Sequence, residues 1–350
     1  MGDMVKGNVA FAEAALRAGM DIFAGYPITP STEIMEQLSW RAEEEGVQFI
    51  QAENEISAIN IVMGAAACGK RALTASSGPG MALKQEGLSY MADYGLYCVV
   101  IDCVRFGVGL GSLDGAQTDY LRDTRGGGQG DYMNIVLAPY SIQEAVNLIY
   151  ESFDLAEKYR TPVIIMTEGT LGQMMEPCDY PPYKKGKLQT WAFDGKYTNK
   201  RPPRHGSFPG EQAAFRALKQ SLYDNEQRYE ADGLEDADYI FVSFGLPGRA
   251  TMGAVKQLQA RGEKVGFIRP ISLSPYPEAA FRKVNKKVKG IITVETNFDG
   301  QMNIDAALFT KKHLGDVPVY TLAYINGVPK LRTICHDFEE IKAGRIKEVY

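Results

Sequence analysis

The chain has 350 residues, 45% of them apolar and 23% charged, and a formal net charge of -5 at pH 7. This length exceeds what one hydrophobic core usually serves and predicts two domains, while the acidic balance and the lack of a dense basic block exclude a nucleic-acid-binding role. No apolar run approaches the ~18 residues of a membrane span and the segment from Met1 to Lys6 opens no hydrophobic leader, so a cytoplasmic protein with no membrane partner is expected.

From residue 8 to about 170, helical and strand patterns alternate: helix 8–18, strand 21–24, helix 30–45, strand 47–51, helix 55–68, strand 71–75, helix 81–94, strand 97–104, strand 135–137, helix 142–158 and strand 162–166. Strands so uniformly apolar are buried on both faces, as in a parallel sheet between helix layers. The fold class is therefore α/β, with a doubly wound parallel sheet in a first domain spanning 1–170. Over residues 171–235 the regularity fails among Pro177, Pro181, Pro182, Pro202, Pro203 and Pro209, and this segment reads as an irregular linker that wraps a partner subunit. Alternation resumes with strand 239–244, helix 250–261, strand 264–268, helix 278–284, strand 290–294, helix 302–309 and strand 317–322, a second and smaller α/β domain over 236–350.

The run Gly25-Tyr26-Pro27-Ile28-Thr29-Pro30-Ser31-Thr32-Glu33 falls where the first strand hands over to a helix. Thr29 reads as a helix cap with Pro30 in the first helical position, and the two prolines fix Tyr26 and Thr29 at the carboxyl edge of the sheet, where open α/β sheets bind ligands. One βα step later, Gln51-Ala52-Glu53-Asn54-Glu55 places Glu55 at the start of a helix whose Ile56, Ile59, Val62 and Met63 read as a buried face. A partly desolvated carboxylate at the mouth of the sheet follows; alternatively Asn54 caps the helix and Glu55 only complements its dipole. Arg105 ends the apolar strand beside a glycine-rich loop and suits a bidentate clamp on a carboxylate, or else a structural ion pair with Asp102 or Asp119. Ser76-Ser77-Gly78-Pro79-Gly80 joins a strand to a helix with small side chains and free amides, although Gly-Pro-Gly is also an ordinary turn. Cys68, Cys98, Cys103, Cys178 and Cys335 are scattered without a Cys-x-x-Cys pair, so no self-contained iron–sulfur or zinc site is expected. His205, His313 and His336 share no metal-ligand spacing.

Together these stretches, with the half running from Gly245 to Gln301, resemble the 2-oxoacid:ferredoxin oxidoreductases, in the alpha subunit that carries the pyrimidine-binding domain, and they come nearest to the 2-oxoisovalerate branch. The resemblance implies thiamine diphosphate with Mg2+, a pyrimidine-binding-type first domain and a transketolase-C-terminal-like second one. Aligning the family's glutamate with the Gly-Ala nine residues downstream selects Glu55 over Glu53 as the acid–base partner of the pyrimidine ring. It further implies that Tyr26, Pro27, Ile28, Thr29, Ser76, Ser77 and Gly78 border the cofactor, and that Arg105 and Thr29 meet the 2-oxoacid.

The run Gly126-Gly127-Gly128-Gln129-Gly130-Asp131 departs from the family's magnesium–diphosphate motif, since Tyr132 follows Asp131 and no paired asparagines come after. The diphosphate half of the site is therefore expected on a beta subunit, and iron–sulfur clusters on gamma or ferredoxin-like delta subunits, with CoA and ferredoxin as co-substrates. From Gly111 to Gln117 there is no basic residue to pair with a second substrate carboxylate, and Asp114 opposes one, which points to a monocarboxylic, branched-chain 2-oxoacid. A lipoamide-linked decarboxylase component and a non-catalytic scaffold subunit remain the alternatives.

Overall fold

The segments predicted as all-apolar strands lie at the centre of the computed structural model, which describes residues 2–187, 189–196, 212–325 and 327–350. Val99–Val104 and Val163–Glu168 are buried at every residue and pair in parallel, Val99 beside Val163 through Val104 beside Glu168. Helices cover both faces, so no polar face is needed and the strands read as nearly all-apolar runs, with Asp102, Thr167 and Glu168 the polar exceptions.

Around this pair stands a seven-stranded sheet in the spatial order Ser272–Ser274, Ile135–Leu137, Val163–Glu168, Val99–Val104, Ala72–Ser76, Ile22–Gly25 and Gln48–Gln51. Every neighbouring pair is parallel except the first. From Ile22–Gly25 the chain steps to one side to form Gln48–Gln51, then returns to the other side for Ala72–Ser76. The strand order reverses at that point, and the crevice beyond the carboxyl ends of such a reversal is a ready ligand site. The second sheet has five strands, Val319–Ala323, Gly290–Glu295, Tyr239–Val242, Val265–Pro270 and Tyr229–Asp232, parallel except for the last, antiparallel pair.

The segment expected to be an irregular linker is partly regular. Met175–Cys178 pairs antiparallel with Asp3–Lys6, Gln212–Asn225 is a helix, and Tyr229–Asp232 is the edge of the second sheet. Each strand is four residues long and mostly solvent-facing, so none shows the apolar alternation by which strands are recognised. Pro177 stands in a two-stranded ribbon, whose outer edge tolerates a missing N–H; Pro202, Pro203 and Pro209 lie outside the described residues. A C-terminal helix, Leu331–Lys342, was also not anticipated.

The two sheets are not independent. Ser272–Ser274 comes from the second half of the chain yet completes the first sheet, and one apolar cluster joins Ile22, Val100 and Tyr120 to Ile240, Phe244 and Tyr276. Gln117 stitches the seam: its amide donates to Glu168 Oε1 (2.8 Å) and Phe244 O (3.0 Å), and its carbonyl accepts from Thr296 N (3.1 Å). At the end of the strand Gly290–Glu295, buried Glu295 accepts the backbone N–H groups of Gln301, Met302 and Asn303 at 2.8–3.0 Å. It is an anionic cap for the helix Asn303–Leu314.

Candidate active site

Four loops leave the carboxyl edge of the first sheet beside the strand reversal. After Ile22–Gly25, Ser31 returns both its N–H (2.9 Å) and its hydroxyl (2.8 Å) to Ile28 O. The Thr29–Pro30 bond is cis, and the helix begins only at Thr32. Thr29 is therefore not the helix cap and Pro30 is not in the first turn; the residue before a proline avoids helical backbone, and the turn absorbs both. Tyr26 and Thr29 stay exposed, with Pro27 and Ile28 half-buried.

After Gln48–Gln51, Asn54 caps the next helix by accepting Ser57 N at 2.8 Å. Asn54 is thus the cap, and Glu55 opens the helix while only 7% exposed. The buried stripe runs Glu55, Ala58, Ile59, Val62, Ala66, so the carboxylate belongs to the inward face itself. Ile56 and Met63, expected on that face, are exposed and half-buried, because the stripe starts one residue earlier. Among the described residues no donor lies within hydrogen-bonding distance of the Glu55 carboxylate.

After Ala72–Ser76, the helix starts at Gly78, three residues before the predicted Met81. Gly78 has φ +42, and a Cβ there would come within 3.2 Å of Arg105 Nε. At Gly80 a Cβ would stand 2.3 Å from Ser76 Oγ and 2.6 Å from Glu55 Oε1; glycine is what lets the carboxylate lie against the helix start. Ser76 Oγ and Ser77 Oγ are buried without a hydrogen-bond partner.

After Val99–Val104, Arg105 is 7% exposed. Its Nη1 donates to Thr29 O (2.8 Å) and its Nη2 to Leu110 O (2.7 Å), while Nε is buried and unbonded. The alternative ion pairs with Asp102 and Asp119 do not form. Arg122 takes both carboxylates together with Asp123, and burial raises the Asp102 and Asp119 carboxyls in spite of that guanidinium. Among the described residues Arg105 thus has no anionic partner, and a buried cation left in that state costs several kcal/mol. An anion brought beside it would relieve that cost.

Asp114 is not drawn in: it is exposed and its carboxylate accepts the Ser112 hydroxyl at 2.9 Å. The Gly126–Asp131 run is held by side chains, with Gly127 N on Gln85 Oε1 and Gly128 N on Tyr132 OH, both 3.0 Å, and Asp131 paired with Lys219. His313 bonds Glu278 at 2.8 Å and His336 sits beside Asp337; His205 lies outside the described residues. The sequence reading missed Lys84, which is wholly buried and donates to Thr74 Oγ1 at 3.0 Å. Its signal was positional, four residues after Gly80 on the same helix face.

Glu55, Ser76, Gly78, Gly80, Arg105 and Thr29 therefore form one continuous lining. The unbonded Glu55 carboxylate, lying against Gly80, and the orphaned Ser76 and Ser77 hydroxyls fit a flat heteroaromatic ring bearing both donors and acceptors, such as an aminopyrimidine.

The family described as pyruvate flavodoxin/ferredoxin oxidoreductase, thiamine diphosphate-binding, matches residues 13–236, and pyruvate:ferredoxin oxidoreductase core domain II matches residues 237–330. The chain is 43% identical to the ketoisovalerate oxidoreductase subunit VorB of Methanothermobacter marburgensis, over 86% of this chain and 88% of that protein. It is 34% identical to the 2-oxoglutarate synthase subunit KorA of Methanocaldococcus jannaschii, over 89% and 92%. A solved structure of 2-oxoglutarate:ferredoxin oxidoreductase from Magnetococcus marinus superimposes with a TM-score of 0.84 at 25% identity, covering 97% of this chain and 65% of that longer one. The chain belongs to the pyruvate flavodoxin/ferredoxin oxidoreductase family and is a subunit of a thiamine-diphosphate-dependent 2-oxoacid:ferredoxin oxidoreductase.

Proposed function

We propose that this chain is the pyrimidine-side subunit of a cytoplasmic complex that oxidatively decarboxylates a branched-chain 2-oxoacid with CoA, giving acyl-CoA, CO2 and reduced ferredoxin. The observation that carries the reading is the convergence of an unbonded buried carboxylate, Glu55, and an unpaired buried guanidinium, Arg105, on one sheet edge. Thiamine diphosphate, when bound, supplies the nucleophilic carbon and electron sink of the reaction. Glu55 holds a proton against the pyrimidine ring nitrogen from its place above Gly80. Ser76, Ser77 and Gly78 border that ring, with Tyr26, Pro27 and Ile28 at its open side.

Arg105 grips the substrate carboxylate through the N–H groups of Nη1 and Nη2 not spent on Thr29 and Leu110, and the Thr29 hydroxyl stands beside it, so the bond to CO2 is aligned before it breaks. A beta subunit completes the site with the diphosphate and Mg2+, and iron–sulfur clusters on gamma and ferredoxin-like delta subunits take the electrons to ferredoxin. The preference for a branched monocarboxylic substrate is supported by the absence of a basic residue from Gly111 to Gln117 and by the higher identity to the ketoisovalerate subunit.

Viologen reduction by the native complex, with CoA and either 2-oxoisovalerate or 2-oxoglutarate, tests it. A higher kcat/KM for 2-oxoisovalerate is expected; the reverse order overturns the substrate assignment. Glu55→Gln is expected to leave assembly intact and lower turnover by roughly two or more orders of magnitude, and near-normal activity would remove Glu55 from the mechanism.

A further inference from the structure

Arg122 divides its guanidinium between ions and main chain. Nε bonds Asp123 Oδ1 at 3.1 Å, while Nη2 bonds Asp102 Oδ2 at 2.5 Å and Asp119 Oδ2 at 3.0 Å. Nη1 instead donates to the carbonyl of Gly78 at 3.1 Å. The three carboxylates are buried, and a single one would suffice to neutralise the cation. What the others add is direction: the donors of a guanidinium lie in one rigid plane, so with Nε and Nη2 anchored the place of Nη1 is set.

The short helix that carries it, Tyr120–Arg125, is itself fastened to the second domain. Leu121 N donates to Gln301 Oε1 (3.0 Å), and the Gln301 amide returns to Thr118 O (2.8 Å). Tyr120 OH and Arg125 Nη2 both reach Asp305, at 2.6 and 2.8 Å. On the far side of the guanidinium, Gly78 has φ +42 and precedes Pro79. Glycine sets little preference for its own backbone angles, and the peptide joining it to a proline has no N–H, so its carbonyl is the handle by which that peptide can be held. The turn matters to the crevice, because Ser77 O accepts Gly80 N at 2.9 Å and Gly80 lies against Glu55.

We propose that Arg122 is a positioning residue for the cofactor turn: anchored on three aspartates, it fixes the peptide after Gly78 and with it the Ser77 and Gly78 wall against which the pyrimidine ring lies. This rests on the reading of the crevice given above. Arg105 is held separately, by Thr29 O and Leu110 O, so the substrate clamp does not depend on Arg122. Loosening the turn should therefore weaken the hold on the cofactor and leave the KM for the 2-oxoacid where it was.

The test is calorimetric titration of thiamine diphosphate, with Mg2+, into the cofactor-depleted native complex, beside thermal unfolding and steady-state kinetics of the same preparations. An apolar replacement would strand buried carboxylates and could prevent folding, so the variant is Arg122→Lys. Its ammonium keeps a cation among the aspartates but has no planar fork, is drawn to the carboxylates and gives up Gly78 O. Losing a hydrogen bond from a charged donor changes an equilibrium by about tenfold or more, and the Kd for thiamine diphosphate is expected to rise by about that factor. At saturating cofactor kcat should fall while the KM for the 2-oxoacid stays within about twofold of the wild type.

Asp123→Asn is the comparison. Its amide oxygen can still accept from Nε, so one charge is removed while the guanidinium and its bond to Gly78 stay, and the Kd for thiamine diphosphate should remain that of the wild type. If both variants raise this Kd equally, the cluster acts through its charge and packing and the proposal fails. A lower melting temperature in Arg122→Lys with a normal Kd makes Arg122 a brace of the fold, which also overturns it. A raised KM for the 2-oxoacid at unchanged kcat would put Arg122 behind the substrate clamp instead, against the proposal. Normal turnover in Glu55→Gln would bring down the reading of the crevice itself, whereas a normal Kd in Arg122→Lys beside an inactive Glu55→Gln removes Arg122 alone.

Discussion

Replacing Arg105 by methionine separates a substrate clamp from a structural strut, because the two roles predict opposite balances of stability and rate. The guanidinium is 7% exposed and has no carboxylate partner among the described residues, and its two hydrogen bonds go to the carbonyls of Thr29 and Leu110. Both of those residues are exposed, so water replaces the lost donors, and removing an uncompensated buried cation offsets what little is lost. Stability is therefore expected to fall by no more than about 1 kcal/mol, the usual net value of a hydrogen bond, and a gain is allowed.

Catalysis should respond very differently. Each charge-assisted hydrogen bond to a carboxylate contributes about 1.5–3 kcal/mol, so losing a bidentate pair lowers kcat/KM for the 2-oxoacid by about a thousandfold, equivalent to about 4 kcal/mol. Arg105→Lys keeps the charge but not the planar fork and should fall between the two. The assays are thermal unfolding of the assembled complex and viologen reduction over a range of 2-oxoacid concentrations. A methionine variant that unfolds readily while the surviving enzyme keeps its normal kcat/KM would refute the clamp and make Arg105 a strut.

Gly80→Ala should displace Glu55, since the new Cβ would lie 2.6 Å from its Oε1 and 2.3 Å from Ser76 Oγ; a loss of about 1–3 kcal/mol in stability is expected, with weakened thiamine diphosphate binding in the assembled complex. Gly64→Ala, in the neighbouring helix with nothing within 4 Å of its Cβ, is the control and should be neutral or stabilising by up to about 1 kcal/mol; equal effects from both would show that Gly80 has no special place. Burial pushes the Glu168 carboxyl up to about 7 from 4.5. The folded state then binds more protons than the unfolded one between those values, so this group's contribution falls as pH rises from about 4.5 to 7, by about 3 kcal/mol. Denaturant unfolding should accordingly show Glu168→Gln gaining on the wild type across that window and holding its lead above it; a difference independent of pH would disprove the assignment.

Legibility in the sequence followed the range over which each signal acts. The buried strands could be read because burial on both faces leaves a nearly all-apolar run, as in Val99–Val104, where only Asp102 interrupts it. The turn after Ile22–Gly25 reads from sequence as a helix cap and is not one, because the choice between capping and a main-chain turn depends on Ile28 O meeting Ser31 rather than on residue type. The place of Arg105 at a strand end could be read from the sequence, yet its lack of an anionic partner among the described residues depended on Arg122, seventeen residues on, claiming Asp102 and Asp119. Asp3–Lys6 and Met175–Cys178 escaped notice because each is recognisable only through the other, across most of the first half of the chain. Lys84 was passed over because a lone lysine in an amphipathic helix reads as solvent-facing until Gly80 and Gly87 are seen to close the seam around it.

The seam at Gln117 gives the two halves a shared fate. Thr118 follows it and bonds Arg105 O, Tyr120 donates to Asp305 across the boundary, and Phe106, next to Arg105, packs on Phe298 with 4.9 Å between ring centres. A protein cut near residue 236 would leave the first sheet without the strand Ser272–Ser274 and the Arg105 loop without its backing. Neither fragment would be an autonomous module. If the gene were divided there, the two products would regain a working crevice only by reassociating along that seam, as fragments that complement one another.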